Sequence, residues 1–486
     1  MTEISSLQPK NVWKFFDKIL EIPRPSKKEE KIIAYIEEFA RKCKLDLKKD
    51  KTGNIVISKE AYPGFENRKK IILQGHVDMV CEKNADINHD FNKDPIQAYI
   101  DNDWIRSKGT TLGADNGIGI AAQLAVLSDK SIKHGPLECL FTIDEETGLT
   151  GASCLEQNFI TGDILINLDS EEEGEIYMGC AGGVDTIASI SCKLRDPNKN
   201  SIGYSIGIKG LKGGHSGGDI EKGLGNSNKL LIRLLWNLSQ KYDIGIGSFN
   251  GGNLRNAIPR EAVSTIAIRE NEVESILDDI NEYRKIIFNE FGNREPNLSV
   301  ITEKTDLPGK VMKKKQQKKF LNMLYAMPNG VIEMSHDIPG LVETSTNLAS
   351  IKFNEDDKIE IVTSQRSSIE SSKTDIANRI KSQLLFLKAS VKHTESYPGW
   401  KPNTDSEILN ITKSCYKDLF GRAAKIKAIH AGLECGLFLE KYPHLDMVSI
   451  GPTIEGAHSP DERMKINTVD KFWRLLTEVL KSVPEK

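Results

Sequence analysis

Several histidines and carboxylates in this sequence stand just after short apolar runs, where their types and spacing suit metal binding and hydrolysis. His76 and Asp78 occur in QGHVDMV. On an extended segment, residues two apart leave the same face, so the Asp78 carboxylate can take the second N–H of the imidazole and orient the ring toward an ion. Glu145 and Glu146 are adjacent in DEETG, and consecutive carboxylates are expected to diverge, one binding metal while the other faces a substrate as general base. Asp115 lies in the glycine-rich TTLGADNGIGIAA, Asp169 in NLDSEEEG and His458 in GAHSPDE. Two imidazoles and three carboxylates are about what two ions need if one carboxylate bridges them and each site keeps a position for water. Nitrogen and oxygen ligands without thiolate favour zinc, with manganese or cobalt as alternatives. Two ions roughly 3.5–4 Å apart clamp both a nucleophilic water and a scissile carbonyl. Taken singly, an HxD is usually a surface or capping feature, an EE pair is mostly solvated, and an aspartate after a strand is often a helix cap. Their shared position at strand ends carries the metal reading.

Those strand ends imply an open α/β sheet, because such sheets bind ligands beyond the carboxyl ends of their strands. The runs IILQ (71–74), LECLFTI (137–143) and ILINL (164–168) are too short for helices and continuous enough for strands buried on both faces. A fourth run, MVSI (447–450), follows nearly three hundred residues later and leads into GPTIEGAHSPDE. Ser26 and Glu29 have the spacing of a capping box, and Ile32, Ile33, Ile36, Phe39 and Ala40 recur at helical intervals behind them. Between 184 and 394 the texture shifts to alternating strands and amphipathic helices, with IGYSIGIKG and IEIVTSQRSS as clear strands, which suits an α+β domain on an antiparallel sheet. The expectation is a discontinuous α/β catalytic domain, 1–183 and 395–486, with a mostly parallel sheet and a dinuclear metal site, and an inserted α+β lid domain at 184–394.

Composition sets the bounds. A chain of 486 residues exceeds what one core usually organises. Its formal charge of −3 leaves no broad footprint for nucleic acid or anionic membrane, and the run KKKQQKK (313–319) reads as a solvated face. No apolar segment approaches the ~20 residues that span a bilayer, and MTEISSLQPK lacks a leader pattern, so a cytoplasmic protein is expected. The 8 cysteines include no CxxC pair, which argues against a disulfide framework or a thiolate zinc site.

In QGHVDMV, TTLGADNGIG, DEETGLTGA, NLDSEE, GGHSGGDI, GGNLRNAIP, HAGLECG and GAHSPDE the sequence resembles the M20 family of metallopeptidases, and within it the aminoacyl-histidine dipeptidases. The resemblance implies that Asp115 bridges two metals, with His76 and Asp169 on one ion and Glu146 and His458 on the other. It further implies that Asp78 orients His76, that Glu145 is the general base, and that the Asp115–Asn116 peptide is cis. His215 in GGHSGG corresponds to a lid histidine that stabilises the oxyanion, in several relatives from a partner subunit. Asn256, Arg366 and Glu434 correspond to substrate contacts, with the Arg366 guanidinium suited to a substrate carboxylate. A homodimer through the lid and small dipeptide substrates of the aminoacyl-histidine type, such as beta-Ala-His, follow from the same resemblance.

Competing readings remain at this level. Gly214-His215-Ser216-Gly217-Gly218 satisfies the G-x-S-x-G pattern of serine hydrolases, which would leave the strand-end ligands unexplained. An N-acyl amino acid amidohydrolase or a tripeptidase would use the same metals and base. A non-catalytic peptide-binding homologue would be expected to have lost a ligand or the base.

Overall fold

The computed structural model describes residues 3–354, 356–394 and 396–486. The chain divides into two compact units: Met1–Gly179 with Trp400–Ala428 and Leu433–Lys486, and Cys180–Gly399 with the short return Ile429–Gly432.

The first unit is built on an eight-stranded sheet. Its four central strands, in spatial order Leu137–Thr142, Ile71–His76, Ile164–Asn167 and Asp446–Ser449, pair in parallel. These are the apolar runs of the sequence, and continuous burial on both faces explains their lack of alternation. Antiparallel strands flank them, Ile55–Lys59 against Leu137–Thr142 on one side and Glu175–Cys180 against Asp446–Ser449 on the other. Helix Glu30–Cys43 buries Ile32, Ile33, Ile36, Phe39 and Ala40, the stripe expected from their spacing. Its start differs from the expected capping box. The Ser26 hydroxyl donates to Asp78 Oδ2 at 2.8 Å, and Glu29 accepts from the backbone of Lys27 and of Asp144, so both side chains serve the strand-end loops.

Helix Ala114–Ser128 is buried along almost its whole length, which its alanine, leucine and glycine content allows. Gly113 precedes it at φ 69°, a left-handed conformation in which a side chain would also strike Arg24. Gly75 is required for a different reason. A Cβ there would collide with the Asn116 amide, so the residue between Gln74 and His76 must be glycine.

The second unit is a nine-stranded sheet whose pairings are antiparallel among the described residues, including Ser201–Lys209, Val342–Asn354 and Lys358–Ser367. Helices Ser227–Lys241, Val273–Phe291, Lys314–Ala326 and Glu370–Leu385 contribute to its core. The 313–319 run opens the third of these. Its lysines are exposed, while Gln317 turns inward and bonds the backbone of Ile244 and Ile246. The cysteines are all free, and no helix among the described residues is long and apolar enough to cross a membrane.

Candidate metal centre

Each parallel strand of the first unit delivers a polar group to the same edge of the sheet. His76 ends its strand with the ring fully buried, and its Nδ1 lies 3.2 Å from Asp78 Oδ1. Its Nε2 lies 3.0 Å from Asp115 Oδ1 and 3.3 Å from Asp169 Oδ1. His458, on a loop at φ 64°, places Nε2 3.1 Å from Asp115 Oδ2 and 3.0 Å from Glu146 Oε2. Asp115 thus gives one oxygen to each imidazole. The two groups His76, Asp115, Asp169 and Asp115, Glu146, His458 each gather their ligand atoms within 4.8 Å of one another.

These contacts fit ions better than they fit hydrogen bonds. One Nε2 has one lone pair or one proton, yet each faces two carboxylate oxygens. Ligand atoms about 2.0–2.2 Å from a tetrahedral zinc stand roughly 3.3–3.5 Å from each other, close to the separations seen. Glu146 Oε1 is buried without a hydrogen-bond partner among the described residues, an expensive state that a cation would relieve. The donor set therefore suits a pair of divalent ions.

Asp78 organises this corner. Beyond the His76 ring, its Oδ1 accepts from Glu145 N at 3.1 Å and its Oδ2 from Glu146 N at 3.2 Å, so one carboxylate sets both the imidazole and the one-turn helix Glu145–Gly148. Burial opposes its ionisation, but the His76 ring, the Ser26 hydroxyl and the Glu145 amide hold it down at about 2. The Glu pair does not diverge as its adjacency suggested. One oxygen of each comes within 4.8 Å of the other and of a His76 nitrogen, because side chains at neighbouring positions at the start of a helix can face one cleft. Asn116, joined to Asp115 by a cis peptide, donates Nδ2 to Leu168 O at 2.6 Å and fastens this turn to the Asp169 segment.

Negative charge crowds the centre. Burial and the neighbouring Asp169, Glu146 and Glu434 push Glu145 well above its ordinary value. Burial raises Asp169 to about 7, with Asp115 and Glu146 adding to it. In the opposite sense, Asp115 and Glu146 drive the His458 imidazole up to about 11.

Glu434, a candidate substrate contact, is buried behind the strand ends. Its Oε2 accepts from Gln74 Nε2 at 2.6 Å and Thr142 Oγ1 at 2.8 Å, while Oε1 has no hydrogen-bond partner among the described residues. Gln74 Oε1 in turn accepts from Asn167 Nδ2 at 2.6 Å, and Asn167 Oδ1 accepts from Ser449 Oγ. This polar belt is not expected from the sequence, where Gln74 and Asn167 are counted within the apolar runs IILQ and ILINL. Their common offset, two residues before His76 and Asp169, was the available signal.

The remaining candidates lie in the second unit. His215 sits on a two-residue strand paired with Ala257–Ile258, beside the exposed Asn256, whose carbonyl accepts from Ser216 N at 2.8 Å. Gly218 N at 3.0 Å and Gly217 N at 3.3 Å donate to His215 Nδ1, which places the ring proton on Nε2. Arg366 brings Nη2 to 3.5 Å from that Nε2, and its Nη1 donates to Tyr397 Oη at 2.7 Å. Two donors cannot bond each other, so this 3.5 Å approach is a contact between neighbouring donors rather than a hydrogen bond. His430 is buried against Ser345 Oγ at 2.7 Å, and burial together with Arg366 lowers it to about 3. The serine-nucleophile reading finds no support. Ser216 is 1% exposed, and its segment is a short strand leading to a 3-10 turn rather than a strand-to-helix elbow.

The family described as Peptidase family M20/M25/M40 matches residues 72–482. Over 486 residues, covering 100% of both chains, the sequence is 46% identical to the cytosol non-specific dipeptidase of Escherichia coli (strain K12). The crystal structure of an aminoacylhistidine dipeptidase from Vibrio alginolyticus is similar at a TM-score of 0.92 and 47% identity, covering 100% of this chain and 99% of that one. Aminopeptidase PepT from Bacillus cereus ATCC 10987 matches at 16% identity and a TM-score of 0.56, with 98% of each chain covered, a likeness of fold alone.

Proposed function

Given that the chain belongs to peptidase family M20/M25/M40, we propose that it is a two-metal dipeptidase that hydrolyses aminoacyl-histidine and related dipeptides with Glu145 as general base. The observation that carries this reading is the division of Asp115 between two imidazoles, Oδ1 toward His76 and Oδ2 toward His458. His76, Asp115 and Asp169 would hold one ion, and Asp115, Glu146 and His458 the other. When bound, two divalent cations, zinc foremost, supply a Lewis acid for the scissile carbonyl and make the attacking water a stronger acid.

The protein's own groups do the rest. Asp78 keeps the His76 ring in the orientation that aims Nε2 at the cluster. Glu145 takes the proton of the attacking water as its oxygen bonds the carbonyl carbon. The carbon–nitrogen bond then breaks, and Glu145 returns that proton to the leaving amine, so the base is regenerated. His215 Nε2–H is assigned to the carbonyl oxygen as it gains negative charge, the kind of donor worth about 3 kcal/mol to a transition state. Arg366, braced by Tyr397, is assigned the carboxylate of the substrate, which limits the enzyme to short peptides. Asn256 and Glu434 Oε1, which has no hydrogen-bond partner among the described residues, complete the assigned substrate contacts.

Dipeptide chemistry is favoured over N-acyl amino acid hydrolysis by the names of the relatives at 46% and 47% identity. The name of the first also supports a cytoplasmic location, and the family resemblance supports a homodimer through the second unit. The test is an assay of chelator-treated and zinc-reconstituted protein on beta-Ala-His, Gly-His, Ala-Ala, Gly-Gly-Gly and N-acetyl amino acids. Dipeptide cleavage that needs added metal is expected. Metal-independent cleavage, or a preference for the N-acetyl substrates, would overturn the reading.

A further inference from the structure

We propose that Glu462 is a positioning residue for the metal site bounded by Asp115, Glu146 and His458, because it clamps the turn that carries Asp115 to the loop that carries His458. The inference rests on the two-metal reading above. Glu462 is buried, and its carboxylate gathers four consecutive backbone N–H groups. Oε2 accepts from Leu112 at 2.7 Å and Gly113 at 2.9 Å, and Oε1 accepts from Ala114 at 2.8 Å and Asp115 at 3.3 Å. Successive amides converging on one anion form a nest, here filled by a carboxylate of the same chain. The last of the four belongs to the bridging aspartate itself.

The backbone of Glu462 is fixed just as firmly at its other end. Strand Arg463–Lys465 starts at the next residue and pairs with Ile454–Glu455, so residues 456–462 form the loop of a hairpin with His458 near its tip. Glu462 N donates to Ser459 O at 3.0 Å and folds the chain back just beyond the ligand. From the opposite side of the Asp115 turn, the buried Arg24 donates to the carbonyls of Val77, Asp78 and Gly113. The turn is thus held by its amides on Glu462 and by its carbonyl at Gly113 on Arg24.

This arrangement predicts an unequal effect on the two sites. Glu462 governs two of the three donors of the second site, Asp115 through its backbone and His458 through the hairpin loop. In the first site it governs Asp115 alone, while His76 and Asp169 are set by parallel strands, Asp78 and Asn116.

The experiment is a zinc titration of chelator-treated full-length protein against a chromophoric competitor, for wild type, Glu462→Gln, His458→Ala and the double variant, with melting temperatures of each. Glutamine keeps one oxygen for the nest and turns an NH2 group toward the other amides. Wild type is expected to bind two ions, and Glu462→Gln to bind the first within about threefold of wild type and the second at least tenfold more weakly, the range seen when groups behind metal ligands are altered. The double variant should lose less second-ion affinity than the two single losses combined, since the part of the Glu462 effect that passes through His458 is already gone while the part that passes through Asp115 remains. Normal affinity for both ions in Glu462→Gln overturns the inference. So does equal weakening of both ions with a lowered melting temperature, which marks a merely structural role. Should Glu462→Gln fail to fold, Glu462→Asp carries the test, because it keeps the charge but withdraws it by one methylene. Unchanged second-ion affinity in that variant overturns the inference. Fewer than two ions in wild type would overturn the two-metal reading and this inference together.

Discussion

Asp115 faces two imidazoles with two different oxygens, and the five side chains of the cluster come from segments spread from residue 76 to residue 458. At this scale the distinction between Glu145 and Glu146 matters most, since they are neighbours in sequence and both reach the cleft. Glu146 Oε2 lies 3.0 Å from His458 Nε2, whereas Glu145 makes no such ion pair among the described residues and is pushed well above the ordinary carboxyl range by burial and its acidic neighbours. A carboxyl that resists ionisation is a stronger base once ionised, the property a proton shuttle needs. Glu145→Gln preserves shape and removes that basicity. Its kcat is expected to fall by about 10²–10⁴-fold while two ions remain bound per chain. Turnover within a few-fold of wild type would remove Glu145 from the role, and loss of an ion would make it a ligand instead.

At the scale of elements, the strand ends explain both what was legible in the sequence and what was hidden. Runs such as IILQ and ILINL reveal their strands because a segment buried on both faces has no polar alternation, and each run is followed by the group it presents. The clustering of those groups could be anticipated from the rule that ligands gather beyond the carboxyl ends of parallel strands. Registers could not. Gln74 lies opposite Asn167 in the parallel ladder, and the resulting bond between their side chains links the strands of His76 and Asp169 at the row beneath both. Nothing in either run alone reports that pairing, which depends on strand order. The Ser26–Glu29 capping pattern misled for a related reason, since tertiary partners at Asp78 and Asp144 claimed both side chains. The nest around Glu462 was equally invisible, because backbone amides carry no letter in the sequence. The belt yields a test. Gln74→Leu strands Asn167 Nδ2 in a buried setting and leaves Glu434 Oε2 with Thr142 alone, the orphan costing about 1–3 kcal/mol, so the urea midpoint should drop clearly. Adding Asn167→Leu should cost much less than it does in wild type, because the stranded amide is then removed. Strict additivity of the two changes would show that the amides do not act as a pair.

Over the whole molecule, a formal charge of only −3 conceals a concentration of acid in the first unit, where Asp78, Asp115, Glu145, Glu146, Asp169, Glu171 and Glu434 surround two imidazoles. Without ions the fold must carry this repulsion, which raises the affinity of the buried carboxyls for protons. Burial, with neighbouring carboxylates adding to it, raises Asp169 to about 7 and Glu171 and Glu434 to about 8. A carboxyl raised in the folded state binds protons that the unfolded chain has already released, so its contribution is fully present below the ordinary carboxyl range and is lost as pH rises through 7 to 8. His458, raised to about 11 by Asp115 and Glu146, acts in the same direction from about pH 6.5 upward. Ion-free protein should therefore lose stability steadily between about pH 5.5 and 8.5, read as a falling melting temperature. Bound dications reverse the sign of the field, and they bind best to deprotonated imidazole and carboxylate, so their stabilising effect grows over the same interval. Thermal scans of chelator-treated and zinc-saturated protein across that range should diverge as pH increases. A melting temperature of the chelated protein that stays level or climbs with pH would mean that the carboxylates are neutralised by something other than the protons and cations invoked here.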